Sequence, residues 1–64
     1  MTNVEELRAL LKKFDVEYSE HAETDGTIDI TMTEGSKNVV GYMGFHVTFN
    51  FNSDGGFEGV GVWE

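Results

Sequence analysis

The chain has 64 residues, and its 12 acidic and four basic side chains give a formal net charge of −8. A chain of this length forms one domain, residues 1–64, and the absence of cysteine excludes a disulfide framework and a cysteine zinc site. The acidic balance disfavours direct binding to nucleic-acid phosphates or to an anionic membrane surface, because like charges repel. The N-terminus has no signal-peptide pattern, and no apolar run approaches the roughly 18 residues that span a bilayer. We therefore expect a cytoplasmic protein.

The first predicted element is an amphipathic helix that begins after Thr2 or Asn3. Thr2 and Glu5 have the spacing of a capping box. Apolar residues then recur at helical spacing, and basic residues follow toward the C-terminal end, where they interact favourably with the helix dipole. The apolar stripe consists of Val4, Leu7, Leu10, Leu11 and Phe14. We expect this stripe to cover one face of a sheet.

From residue 15 onward, apolar and polar residues alternate with the period of two that is typical of half-buried strands. Two strands are predicted up to residue 33, with a connection at Thr24-Asp25-Gly26. A two-residue loop would place the apolar faces of the strands on opposite sides of the sheet. A three-residue loop with a left-handed Gly26 pairs Ala22 with Ile28 and unites the two faces. Because a one-residue slip inverts every side chain, the three-residue loop is predicted.

Residues 39–52 are predicted to form a long third strand and residues 57–64 a fourth. Short connections between successive strands favour an antiparallel meander. The predicted fold class is therefore α+β, with one N-terminal helix packed on a four-stranded antiparallel β-meander.

The last hairpin admits two registers. A three-residue loop over residues 53–55 sets Phe51 beside Phe57 and buries Trp63 on the helix side. A two-residue loop over residues 54–55 buries Val60 and Val62 instead and exposes Trp63. The three-residue loop is favoured because it buries more aromatic surface and repeats the loop chemistry of the first hairpin. The exposure of Trp63 distinguishes the two registers.

The strongest functional feature is the distribution of charge. Residues 15–34 contain seven carboxylates and no basic residue. In the favoured register, four of these carboxylates lie on the sheet face that the helix leaves uncovered. Two residues of the third strand lie on the same face. The candidate partner-binding residues are Asp15, Glu17, Glu23, Asp29, Tyr42 and His46. Such a face suits a basic protein partner, for example one whose own site binds nucleic acid.

Two other interpretations of this face remain open. The carboxylates are also typical of a solvated surface that prevents sheets from stacking on one another. In the favoured register Val60 and Val62 lie on the same face, and a homodimer through this exposed sheet face would cover them.

Motifs for metal binding and catalysis are missing from the sequence. The segment from Asn50 to Gly55 matches the first half of a calcium loop, but residue 61, where the pattern requires a bidentate Glu, is glycine. His21 and His46 lack metal-ligand spacing, and no serine lies in a nucleophile motif. We therefore expect a protein that is not an enzyme and that uses no cofactor and no metal.

The C-terminal part of the chain, residues 39–64, carries four short motifs of glycine and aromatic residues. They are Gly41-Tyr42-x-Gly44-Phe45, Phe49-x-Phe51, Asp54-Gly55-x-Phe57 and Gly61-x-Trp63-Glu64. With these motifs this part of the chain resembles short phage and prophage reading frames. The resemblance implies an accessory or counter-defence factor that acts in a host cell by binding, and anti-CRISPR proteins are the nearest understood class. It implies no functional residue.

The sequence thus predicts a small non-enzymatic binding protein, a phage-type inhibitor or accessory factor that docks its acidic sheet face on a basic host protein. The carboxylates would steer association, and Tyr42 and His46 would supply contact area. Two alternatives stay open. One is a sponge that sequesters a small signalling nucleotide at an oligomer interface, although only four basic side chains are available for phosphate. The other is a structural homo-oligomerising module.

Overall fold

The computed structural model describes residues 2–33 and 45–63. Helix α1 (Asn3–Lys13) is followed by strands β1 (Ser19–Ala22), β2 (Ile28–Thr33), β3 (His46–Phe51) and β4 (Phe57–Trp63). The strands form one antiparallel sheet in the order β1-β2-β3-β4. The predicted α+β fold, a helix on a four-stranded meander, is confirmed. Residues 34–44, and with them the predicted start of the third strand, lie outside the described residues.

Helix α1 begins with the predicted capping box. The Thr2 hydroxyl accepts a hydrogen bond from the Glu5 amide at 3.3 Å, and a Glu5 carboxylate oxygen accepts one from the Thr2 amide at 3.1 Å. The same end of the helix is bonded to the second hairpin. The Val4 amide donates to the carbonyl of Gly55, and the Asn3 side-chain oxygen accepts from the amide of Phe57. The N-terminus of α1 is therefore anchored at the β3–β4 turn.

The core lies between α1 and the two central strands. Val4 and Leu11 of the helix pack on Ile30 of β2 and Phe51 of β3, which are 0% and 2% exposed. Partly buried side chains surround this cluster: Leu7, Val16, Ile28, Met32 and Phe49. The helix therefore covers the middle of one sheet face with Val4, Leu7 and Leu11 of the predicted stripe, whereas Leu10 and Phe14 are 48% and 57% exposed.

The first hairpin has the predicted register. Ala22 pairs with Ile28, the amide of Glu23 donates to the carbonyl of Thr27, and Gly26 has a φ of 93°. The Asp25 carboxylate accepts hydrogen bonds from the amide and hydroxyl of Thr27, and these bonds lower its pKa. The loop therefore has the three residues and the left-handed glycine that the shared apolar face requires.

The segment before β1 differs from the prediction, because residues 15–18 are not a strand. Asp15 has a φ of 57°, its amide donates to the carbonyl of Lys12, and the amide of Val16 donates to the carbonyl of Leu11. These two bonds form a Schellman motif, which satisfies the last carbonyls of the helix. The first strand therefore begins only at Ser19.

The second hairpin follows the prediction at its turn and departs from it along β4. Gly55 has a φ of 84°, and Phe51 pairs with Phe57 as expected for the three-residue loop. A register shift then leaves Glu58 without a partner on β3, because Phe51 pairs with Phe57 whereas Asn50 pairs with Gly59. This β-bulge inverts the face of every later residue of the strand.

The bulge overturns the predicted face of the end of β4. Val60 pairs with Phe49 and Val62 with Val47, so both valines lie on the face that carries α1. Trp63 pairs with His46 on the opposite face and is 52% exposed. The prediction that Trp63 is buried on the helix side and that the two valines face away from it is therefore wrong.

Candidate partner-binding face

The sheet face opposite α1, here called the outer face, carries the candidate site. Along each strand, the residues of the outer face alternate with those of the core face, which packs on α1. Its described members are Ser19, His21, Asp29, Thr31, Thr33, His46, Thr48, Asn50, Gly59, Gly61 and Trp63.

A chain of hydrogen bonds crosses the outer face from β4 to β2. The indole nitrogen of Trp63 donates to the hydroxyl of Thr48 at 3.0 Å, and that hydroxyl lies 3.0 Å from the hydroxyl of Thr31. Thr31 and Thr48 are directly opposed in the register and are both partly buried. The orientation of the indole is thus set by contacts within the protein.

His46 completes this arrangement. Its ring stacks on the ring of Trp63 with centroids 4.3 Å apart and an interplanar angle of 23°. Its Nδ1 atom lies 2.9 Å from the hydroxyl of Thr33. Because both rings already have partners, a molecule that binds on them would immobilise few side-chain rotamers.

Three of the four predicted carboxylates lie on the outer face or at its margin. Asp29 occupies the middle of β2, between its neighbours His21 and Asn50. Glu23 lies at the edge, with a carboxylate oxygen 3.2 Å from Nε2 of His21. Glu17 lines a shallow hollow of about 220 Å³ that is bordered by Tyr18, Ser19, Thr31 and Thr33. The structure therefore brings Glu17, Glu23, Asp29 and His46 together around one face.

The remaining two predicted residues are not part of the described face. Asp15 follows helix α1 in a left-handed conformation and, being outside the strands, has no position in the strand pairing that defines the face. Tyr42 lies outside the described residues.

Among the described residues, the Lys and Arg side chains lie on the side of the sheet that carries α1. The Lys and Arg residues of the described ranges, Arg8, Lys12 and Lys13, belong to α1. Arg8 forms a two-pronged ion pair with Glu20, in which the Nε–Oε1 and Nη2–Oε2 distances are both 2.7 Å. The hydrogen bond from Arg8 is the main cause that holds the pKa of the Glu20 carboxyl below its ordinary value. Among the described residues, the outer face carries carboxylates and neither Lys nor Arg.

Sequence reasoning missed Trp63 as a residue of this site. Gly59 and Gly61 have the same parity as Trp63, but parity alone does not decide which face the three residues occupy. A Cβ atom added to either glycine would meet nothing within 4 Å, so neither position faces a packed core. In the structure the two glycines share the outer face with the indole.

The described residues offer no metal centre. The side-chain oxygen of Asn52 accepts hydrogen bonds from the amides of Asp54 and Gly56, so it is engaged in the turn. Within residues 2–33 and 45–63, no group of three or more His, Asp or Glu side chains is placed to hold a metal ion. In the same part of the chain, no helix combines the length and the apolar character needed to cross a bilayer.

Comparison of the chain with protein-family models, with curated proteins and with solved structures found no match.

Proposed function

We propose that the chain is a non-enzymatic binding protein of the phage-type inhibitor or accessory class, which docks its outer face on a basic host protein. The observation that carries this proposal is the Trp63–His46 pair, half-exposed and held by internal contacts, on a face that has carboxylates and no described Lys or Arg. Oriented aromatic side chains are the usual anchors of protein interfaces. Carboxylates around them attract a basic surface over several ångströms and orient its approach.

The segregation of charge supports a basic partner over an acidic one. The cations of the described residues lie on α1, and Arg8 is already paired with Glu20. The outer face therefore presents a negative potential that no neighbouring cation neutralises in the described part of the chain. A partner site built for nucleic-acid phosphates would have the complementary charge.

The proposal is tested by capturing basic proteins from a host lysate on the immobilised chain and measuring the affinity of the purified pair by calorimetry. We expect binding to weaken by a factor of about 10 or more between about 50 and about 500 mM NaCl, because salt screens exposed charges. We expect Trp63→Ala to weaken it about 30-fold or more, as for a central aromatic anchor.

A matched pair of charge reversals separates an effect of charge at the outer face from an effect of the net charge of the whole chain. Glu17→Lys and Asp54→Lys change the net charge equally, but Glu17 borders the outer face and Asp54 lies in the β3–β4 turn. Only Glu17→Lys is expected to slow association. An affinity that is independent of salt and of Glu17→Lys would exclude docking by the outer face.

A further inference from the structure

Both histidines of the chain, His21 and His46, lie on the outer face. His21 belongs to β1 and His46 is the first residue of β3, so β2 runs between them. Histidine is the side chain that ordinarily changes its charge between about pH 5 and about pH 8. The described outer face has neither Lys nor Arg. Among the described residues, these two imidazoles are therefore its only source of positive charge.

His21 lies beside two carboxylates. Its Nε2 atom is 3.2 Å from a carboxylate oxygen of Glu23, and Asp29 is directly opposite on the neighbouring strand. The side chain of His21 is 72% exposed, so it exchanges protons freely with the solvent. A proton on His21 turns its contact with Glu23 into an ion pair and places a positive charge next to Asp29. It thereby cancels part of the negative potential that a basic partner meets.

His46 lies against the aromatic anchor of the proposed interface. The described residues that face it are Thr33 of β2, whose hydroxyl is 2.9 Å from Nδ1, and Trp63 of β4, whose ring is stacked on it. Neither of these neighbours is charged. A protonated Nδ1 can donate to the Thr33 hydroxyl, and a cation is attracted to the face of an indole ring. A proton on His46 therefore changes the charge of the anchor while the stack is kept.

Protonation of both imidazoles removes most of the negative charge of the outer face. Three carboxylates lie on or beside this face, those of Glu17, Glu23 and Asp29. Carboxylates ordinarily stay ionised above about pH 5. The described groups of the face therefore carry a charge of −3 when both imidazoles are neutral and −1 when both are protonated. The attraction for a basic surface falls accordingly.

We propose that the outer face is a pH-sensitive docking surface, which holds its basic partner near about pH 8 and releases it toward about pH 5.5, as His21 and His46 bind protons. This inference rests on the proposed function, because it concerns the same face and the same partner. The coupling is reciprocal, so a bound basic partner disfavours the protonated imidazoles by the factor by which their protons weaken its binding. Binding near neutral pH is therefore accompanied by the release of protons.

The test uses a synthetic peptide of arginine and lysine, about 10 residues long and with blocked ends, whose own charge is constant between about pH 5.5 and about pH 8. Calorimetry at both pH values measures its affinity for the full chain. We expect the affinity of the wild type to fall by a factor of about 10 or more from the higher to the lower pH. At intermediate pH, the heat of binding should depend on the ionisation enthalpy of the buffer, because protons are released.

The variants His21→Gln and His46→Gln assign this effect to the two imidazoles. Each is expected to reduce the ratio of the affinities at the two pH values, and the double variant is expected to bind the peptide equally at both. The ratio is taken within one variant, so a change in its overall affinity does not enter. A ratio that is the same in the wild type and the double variant overturns the proposal. Equal binding by the wild type at both pH values overturns it and leaves the proposed function standing, whereas no binding at either pH overturns both.

The fluorescence of Trp63 gives a second measurement, for which no partner is needed. The indole responds to the charge of the ring that is stacked on it. The emission of the wild type is therefore expected to change between about pH 8 and about pH 5.5, and that of His46→Gln to stay constant. An emission of the wild type that does not change would show that His46 acquires no charge beside the indole, and would overturn the proposal.

Discussion

The indole ring of Trp63 stacks on the imidazole of His46, with ring centroids 4.3 Å apart. This contact joins the last described residue of β4 to the first residue of β3 on the outer face. It covers one side of an indole that is otherwise half-exposed. The only tryptophan of the chain is therefore an optical probe of the candidate site.

His46→Ala is expected to increase the quenching of Trp63 fluorescence by acrylamide, because it uncovers the stacked side of the indole. It should also lower the free energy of unfolding by about 1 kcal/mol, the usual worth of an aromatic pair. His21→Ala is the matched control, since His21 lies on the same face but pairs with Asp29. Equal quenching in both variants would mean that the stack does not form in solution.

The ion pair between Arg8 and Glu20 is expected to make stability depend on pH. The hydrogen bond from Arg8 lowers the pKa of Glu20 below its ordinary value of 4.5 in the folded chain, against a smaller opposing effect of burial. A group with a lowered folded pKa stabilises the protein above its unfolded pKa and loses that contribution as the pH falls through the folded pKa. Glu20→Gln should therefore be less stable than the wild type at pH 7, and the difference should close below pH 4.5.

Urea unfolding of both proteins at several pH values measures this difference. Both side chains are about one-third exposed, so we expect a modest effect that salt reduces. Glu17→Gln is the control, because Glu17 forms no ion pair in the described residues. A Glu20→Gln difference that persists at low pH would mean that Glu20 stabilises the fold by packing and not by charge.

Gly55→Ala is expected to destabilise the fold by about 1–3 kcal/mol, since Gly55 has a φ of 84° and its new Cβ would lie 2.8 Å from the Cβ of Thr2.

Gly59→Ala is expected to raise the free energy of unfolding by about 0.5 kcal/mol, because alanine restricts the unfolded chain more than glycine does. Its Cβ would meet nothing within 4 Å. Thermal unfolding of the two variants gives the comparison, and equal melting temperatures would contradict the close contact between turn and helix.

Much of the fold could be predicted because it depends on interactions between near neighbours in the chain. The capping box needs only Thr2 and Glu5, and each hairpin loop needs a glycine that tolerates a positive φ at its third position. The pairing of Ala22 with Ile28 follows from the rule that both apolar faces must meet the same core. The candidate site was predicted less completely: Glu17, Glu23, Asp29 and His46 lie at the outer face, but Asp15 belongs to the helix-ending motif and not to the predicted strand.

The sequence by itself determined the order of the helix and the four strands, where the two described hairpins turn, and that the chain is strongly acidic, but not that the first strand begins only at Ser19. Only the tertiary structure decided which face Trp63 occupies. The bulge at Glu58 depends on how β4 pairs with β3 beyond the turn, and one unpaired residue inverts all the residues after it. Likewise, the pairing of Arg8 with Glu20 depends on how α1 lies across the sheet. Alternation and turn chemistry are local, whereas a bulge and a helix–sheet ion pair are set by contacts between segments that are distant in sequence.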